Sequence, residues 1–411
     1  MSKFKHLFRD TVIVLLITAV IMISAEFCFR LASSYRVSSR QASSDQAAMK
    51  NRIEAFDGKY TTDQLKEIRD EADDRLEYLP WVQFGNYDHS LKYSRAASGL
   101  RESYQDPNCG NKERKVTVWF FGGSTMYGIG VPWWDTIPSQ FVKQTESDAV
   151  CYEAVNYGVP YFYSRQELVR FLAELLDGRR PDIAVFLDGL NDFAQPGSAI
   201  RGEPFFTPVL RQAIPKGKSI VPPTPAAKPS STLSTLVGKS HLATYLSSKF
   251  KSQDASSVGR GTFRNNYDIP PGIPSSPGEV ASYIVKNYLS VREQLAVSCD
   301  GYHVLCMQYL QPVAVKDYSP SSDEVLTKSF REGDKSRVKR FLVGYDLLSV
   351  SLGKTDQGLI SGKPWWRDIS GLFADYQGIP YVDDGHYSPR AISIIAAVMR
   401  QDLTKLLKHE K

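Results

Sequence analysis

The chain has 411 residues, 42% of them hydrophobic and 12% aromatic, enough to bury a full core in one large domain with appendages. Its formal charge of +5 is mild. The basic residues are scattered rather than gathered into an aromatic-laced stripe, which argues against a nucleic-acid partner.

At the N-terminus, Lys3, Lys5, His6 and Arg9 precede an apolar run from Thr11 to Ala25, which Glu26 interrupts and Phe27-Cys28-Phe29 extend. A spanning helix needs about 20 apolar residues; a secretory signal has an apolar core of about 7–15. Residues 11–32 read as an uncleaved transmembrane anchor behind a cytoplasmic tail at 1–10, with a cleaved signal peptide as the alternative. A cut after Ala25 would put Ile23 where a small residue belongs. Both readings export the rest of the chain, so the expected location is a bacterial-type inner membrane with the following residues periplasmic. Besides Cys28 there are Cys109, Cys151, Cys299 and Cys306, an even number that permits disulfides or leaves buried thiols. Their spacings match no zinc motif, so no metal is expected.

Residues 33–105 read as a polar stalk with a short helix over Thr62–Arg75, then an irregular aromatic stretch from Tyr78 to Tyr104. An α/β pattern occupies 106–411. Val116–Phe121 is an apolar, β-branched and aromatic run ended by Gly-Gly and predicts a buried strand. A helix is expected over Asp135–Gln144, a second strand over Tyr152–Asn156, and a helix opened by a capping box at Ser164–Glu167 and closed by Gly178. Ile183–Leu187 predicts the third strand.

Residues 194–280 are rich in Pro and Ser and read as an insertion, with one amphipathic helix carried by Leu233, Leu236, Val237, Leu242, Tyr245, Leu246 and Phe250. A helix over Pro277–Ser298, a strand over His303–Gln308, helical material over Ser322–Leu352, a fifth strand over Ile379–Val382 and a helix from Pro389 to Lys408 complete the pattern. Alternating strands and helices predict a parallel, doubly wound sheet, whose ligands bind at the carboxyl ends of the strands.

Four islands fall at such ends. Ser124, after Gly122-Gly123, is a candidate nucleophile on a tight turn. Gly158 offers a backbone N–H at close range. Asn191, in Gly189-Leu190-Asn191-Asp192, carries an amide able to donate to an oxyanion. His386 follows Asp383 by three residues, a spacing that lets the carboxylate fold back onto the imidazole; Asp384 is the rival carboxylate. Tyr127, Trp133, Trp134, Tyr161, Tyr163, Asp192 and Phe193 lie close by in sequence as candidate substrate contacts, with packing as the alternative for the aromatic residues.

The order Ser124, Gly158, Gly189-x-Asn191-Asp192, Asp383-x-x-His386 resembles the SGNH (GDSL-type) hydrolase superfamily. The resemblance covers residues 115–405 apart from the insertion. It implies a flavodoxin-like three-layer α/β/α sandwich with five parallel strands. It also implies a Ser124–His386–Asp383 triad and an oxyanion hole made by the N–H groups of Ser124 and Gly158 and the side chain of Asn191. No cofactor is implied. The Asp that precedes the family's serine is Gly123 here, a departure that sets the chain apart from typical GDSL lipases. The expected activity is hydrolysis of O-acyl, above all O-acetyl, esters of envelope or secreted polysaccharide. The alternatives are transfer of the acyl group to a glycan, with a membrane protein as acyl donor, and a non-catalytic glycan-binding protein of the same fold.

Overall fold

The computed structural model describes residues 49–71, 76–202, 276–316, 334–352, 365–383 and 385–409. The expected anchor at 11–32, the amphipathic helix around Leu233–Phe250, most of the stalk and of the 194–280 insertion, and Asp384 lie outside them. Among the described residues no helix is long and apolar enough to cross a membrane.

In chain order, residues 49–55 form α1 and Thr62–Glu71 form α2. The short strands β1 (Leu76–Leu79), β2 (Gln83–Asn86), β3 (His89–Ser90), β4 (Arg95–Ala97) and β5 (Leu100–Arg101) follow. The alternating unit begins with β6 (Arg114–Gly122), α3 (Ser124–Tyr127), α4 (Ile137–Gln144) and β7 (Val150–Asn156). It continues with α5 (Ser164–Leu176), β8 (Ile183–Asp188), α6 (Leu190–Ala194) and α7 (Pro196–Arg201). Then come α8 (Pro277–Gly301), β9 (Leu305–Leu310), α9 (Lys335–Leu352), β10 (Trp365–Asp368) and α10 (Pro389–His409).

Strands β10-β9-β8-β6-β7 are parallel neighbours. Numbered by appearance from β6, their order is 2-1-3-4-5, the flavodoxin-like doubly wound order. Strand pleating sends alternate residues to opposite faces. Val118, Phe120, Val185 and Leu187 point into one core with Phe141 of α4 and Ile392 and Ile395 of α10. Trp119, Phe121, Ala184 and Phe186 point into another with Leu168 and Phe171 of α5 and Leu295 of α8. Helices therefore cover both faces of the sheet in three layers, as expected. A further core joins α6 and α8 to α9 through Phe193, Tyr288, Phe341 and Tyr345.

Several local expectations are corrected. Ile379–Val382 is no sheet strand: Pro380 has no N–H for a ladder, and the segment bonds to its own hairpin through a Tyr381–Tyr387 bridge. The fifth parallel strand is β10, paired in register with β9 from Trp365↔Met307 to Asp368↔Leu310. The sheet is mixed rather than purely parallel, because β5, β4 and β3 extend the β7 edge antiparallel to eight strands. Those strands come from the stretch Tyr78–Tyr104, read as irregular; their short length hides any alternation. Residues 49–71 pack Ala55, Phe56, Leu65 and Ile68 into the main core, although the sequence there reads as stalk. The Ser164 capping box does not form. Helix α5 starts at Ser164 itself, whose hydroxyl donates to Asp192 at 2.6 Å, and a hydrogen bond to a buried carboxylate outweighs a local cap. Cys109 pairs with Cys151 and Cys299 with Cys306.

Candidate active site

Strands β6 and β8 meet where the strand order reverses, with Gly122 opposite Leu187. Chains leaving such a switch point diverge and open a crevice at the carboxyl ends of the strands. Ser124 is the first residue of α3 after β6, and Asn191 is the second residue of α6 after β8. Ser124, Asn191 and His386 line one cavity of about 300 Å³, together with Pro160, Tyr161, Leu190, Gln195, Arg337 and Gly385. The first N–H groups of a helix have no acceptor within it. In α3, the N–H groups of Met126 and Tyr127 return to Gly123 O, which leaves those of Ser124 and Thr125 without an intrahelical partner.

The segment 379–388 makes a small hairpin in which Val382 N donates to His386 O and Ser388 N to Pro380 O. Its tip folds Asp383 back on His386, with Nδ1 2.8 Å from both carboxylate oxygens. Asp383 Oδ1 also accepts from the N–H groups of Gly385 at 3.0 Å and His386 at 2.8 Å. Burial pushes the Asp383 carboxyl up, but the His386 charge and these hydrogen bonds outweigh it and hold the group at about 2. A carboxylate at Nδ1 fixes the imidazole tautomer with its lone pair on Nε2.

Asn191 is held by its own amide: Nδ2 donates to Phe162 O at 2.7 Å, which commits one of its two hydrogens. A Cβ on Gly123 would lie 2.4 Å from that nitrogen and 3.0 Å from Phe162 O. A glycine at position 123 thus answers to the close approach of Asn191.

Gly158 corrects the expectation placed on it. Its N–H donates to Asn156 Oδ1 at 2.8 Å and its carbonyl accepts from Asn86 at 2.9 Å, so its donor is spent inside the fold. A Cβ there would sit 2.4 Å from Tyr127 N, so the glycine serves the packing of α3 against the β7 loop. Asn156, which also donates to Met126 O at 3.0 Å, is the residue that ties the two together.

Of the other candidates, only Tyr161 lines the cavity. It holds a left-handed backbone, φ 69°, a conformation that costs a non-glycine residue energy and recurs at functional sites. Tyr127 is buried under the Arg101 guanidinium, and Trp133 and Trp134 pack edge to face on each other. Tyr163 is buried, and Phe193 packs at tilted angles against Phe341 and Tyr345. Asp192 is buried and bonded to Ser164, away from the cavity. Two residues near the site carried no sequence signal. Arg52 donates to Gly130 O at 2.9 Å and is lowered by burial against the attraction of Asp383. Arg337 reaches the cavity from α9, far along the chain.

Behind Asn191 lies a cluster of buried acids. Burial and the neighbouring Asp192 raise Asp188 to about 7, although Tyr288 donates to it and Arg292 attracts it. Burial raises Asp192 to about 6 against its hydrogen bonds from Ser164. Burial, with Asp188 and Asp192, pushes Glu167 well up.

The chain matches no family model and no curated protein sequence. Solved structures similar to it include the acetyl xylan esterase AlAXEase, at 11% identity and TM-score 0.33 over 70% of this chain and 99% of that one. Another is Est24, a carbohydrate acetylesterase from Sinorhizobium meliloti, at 11% identity and TM-score 0.35 over 71% and 99%. TesA is similar at 10% identity and TM-score 0.32 over 69% and 97%.

Proposed function

We propose that the protein is a serine esterase of the SGNH type that cleaves O-acyl, chiefly O-acetyl, esters of polysaccharide. The observation that carries this reading is the Asp383–His386 pair, 2.8 Å apart, in a hairpin whose histidine shares one cavity with Ser124 and Asn191. His386 Nε2 takes the Ser124 hydroxyl proton as Oγ attacks the acyl carbon, and Asp383 stabilises the imidazolium that forms. The N–H of Ser124 and the second amide hydrogen of Asn191 hold the oxyanion. His386 then protonates the leaving alcohol, and water, activated by the same imidazole, releases the acid from the acyl-serine. Gly158 has no part in this scheme.

An exported location fits the two disulfides, which persist in oxidising compartments. It also fits the apolar run at 11–32, read as an anchor that places the enzyme on the periplasmic side of an inner membrane. Release of acetate from acetylated glycans by the full chain, beside Ser124→Ala, tests the activity. Turnover should fall by a factor on the order of 10³ or more in the variant. Retained turnover in Ser124→Ala would sink the reading. Adding unacetylated oligosaccharide as acceptor separates hydrolysis from transfer: transfer yields acetylated acceptor at the expense of free acetate.

A further inference from the structure

The hairpin of β1 and β2 turns through Pro80, Trp81 and Val82, with Leu79 opposite Gln83. Val82 N donates to Pro80 O at 2.9 Å, which closes a three-residue turn on Trp81, whose φ is 70°. A turn of that hand is rare and strained for a residue with a Cβ, and more so for a bulky one. The packing beneath holds the strain in place. Val82 and Phe84 are buried against Val159 and Phe162, and Gln166 Nε2 donates to Val82 O at 3.1 Å. The Trp81 ring takes no part in that core: the residue is 87% exposed, more than any other large hydrophobic among the described residues. A strained backbone that presents an indole to solvent costs folding energy, and such outliers collect at ligand sites.

Beside the turn, a groove of about 600 Å³ is lined by Leu79, Trp81 and Val82 and, from α5, by Val169, Leu172 and Leu176. Its charged residues cancel. Arg170 pairs with Glu174 at 2.7 Å, and Arg179 with Glu174 at 2.6 Å and Asp177 at 2.8 Å. A groove without net charge exerts no pull on an anionic lipid surface or a charged polymer. It offers a flat apolar ring and, in Arg179 and Asp177, polar groups more than half exposed at the rim. That mixture matches a neutral pyranose, whose C–H face packs on an indole while its hydroxyls bond to the rim. The volume suits a short run of such rings. Tyr161 packs at the edge of the hairpin core and also lines the catalytic cavity, so groove and cavity are built on one segment, residues 159–162.

We propose that Trp81 and the groove beside it form a second carbohydrate site, which holds a neutral stretch of the polysaccharide chain outside the catalytic cavity. The inference rests on the polysaccharide reading for its ligand and not on the esterase chemistry. Holding one stretch of a polymer raises the local concentration of its other acylated units at the cavity.

Calorimetric titration of the full chain with unacetylated cellohexaose, xylohexaose and mannohexaose provides the test, with Trp81→Gly and Trp81→Phe beside the wild type. At least one sugar should bind, about tenfold or more weakly in Trp81→Gly, and with most of its affinity kept in Trp81→Phe. Glycine adopts the left-handed turn without strain, so Trp81→Gly should melt no lower than the wild type. Its turnover of p-nitrophenyl acetate should be unchanged, while its KM for an acetylated polysaccharide rises. Failure of the wild type to bind any of the three sugars, or equal affinity in Trp81→Gly, overturns the proposal. So does a Trp81-dependent attachment to phosphatidylcholine vesicles, or a Trp81-dependent self-association, in place of sugar binding. Leu176→Ser, on the α5 side of the groove, should weaken the same sugar and decides the matter if Trp81→Gly fails to fold. Ester turnover retained by Ser124→Ala would remove the esterase reading alone, because the titrations need no catalysis.

Discussion

Gly123 has no side chain, and Asn191 occupies the space one would take. Gly123→Ala puts a methyl 2.4 Å from Asn191 Nδ2 and 3.0 Å from the Phe162 carbonyl. The amide is the easier of the two to move, so the substitution costs Asn191, the proposed oxyanion donor, its position rather than unfolding the loop. We expect kcat on p-nitrophenyl acetate to fall on the order of 10²-fold. Thermal melts should show the fold intact. That Ser124, Asn191 and His386 line one cavity, with Asp383 on His386, draws together residues that stand out in the sequence because each carries reactive chemistry beside a glycine or in a short loop. Gly158 was misread because its N–H is taken by Asn156, a bond that depends on how the β7 loop turns back. Arg337 was invisible, since an arginine on a helix becomes part of a site only when the helix docks.

At the scale of elements, β8, α5 and α6 meet over acids that are buried together. Asp188 is raised to about 7 and Asp192 to about 6, chiefly by burial. A raised carboxyl binds its proton more tightly in the folded chain than in the unfolded one. Its contribution to stability is therefore complete below the unfolded value, about 4, and is lost as pH rises through 6 to 7. We expect the unfolding free energy to fall between about pH 4 and pH 7 by on the order of a few kcal/mol, read as a falling melting temperature over that range. Asp188→Asn keeps an acceptor for Tyr288 and removes the charge, so it should flatten that slope; an equally steep slope in the variant would exclude this origin. The sequence read Glu167 as a capping residue and Asp192 as a substrate contact. In the structure both side chains are buried.

The whole molecule adds two crosslinks to the three-layer body. Cys109–Cys151 ties the segment before β6 to β7 across 42 residues, whereas Cys299–Cys306 spans 7 at the junction of α8 and β9. Loop-closure entropy gives about 4 kcal/mol for the first and roughly 2 for the second. Replacing Cys109 and Cys151 with serine should therefore lower the melting temperature more than replacing Cys299 and Cys306, as differential scanning of the two double variants would show.

The five-strand parallel core follows from the sequence to the extent that β6, β8 and β9 are largely apolar runs buried on both faces. Burial of that kind leaves a compositional mark that survives without a partner. The fifth strand, the antiparallel extension and the inclusion of residues 49–71 left no such mark. Short strands and amphipathic turns take their state from the neighbour that covers them. By itself the sequence determined the alternating α/β order and marked Ser124, Asn191 and the Asp383–His386 pair as candidates, because backbone period and reactive side chains are local properties. Only the tertiary structure decided which strand closes the sheet edge, that the Gly158 donor is spent, and that Arg337 stands in the cavity. Each of those depends on which surfaces meet, and a contact between residues distant in the chain has no local sequence signal.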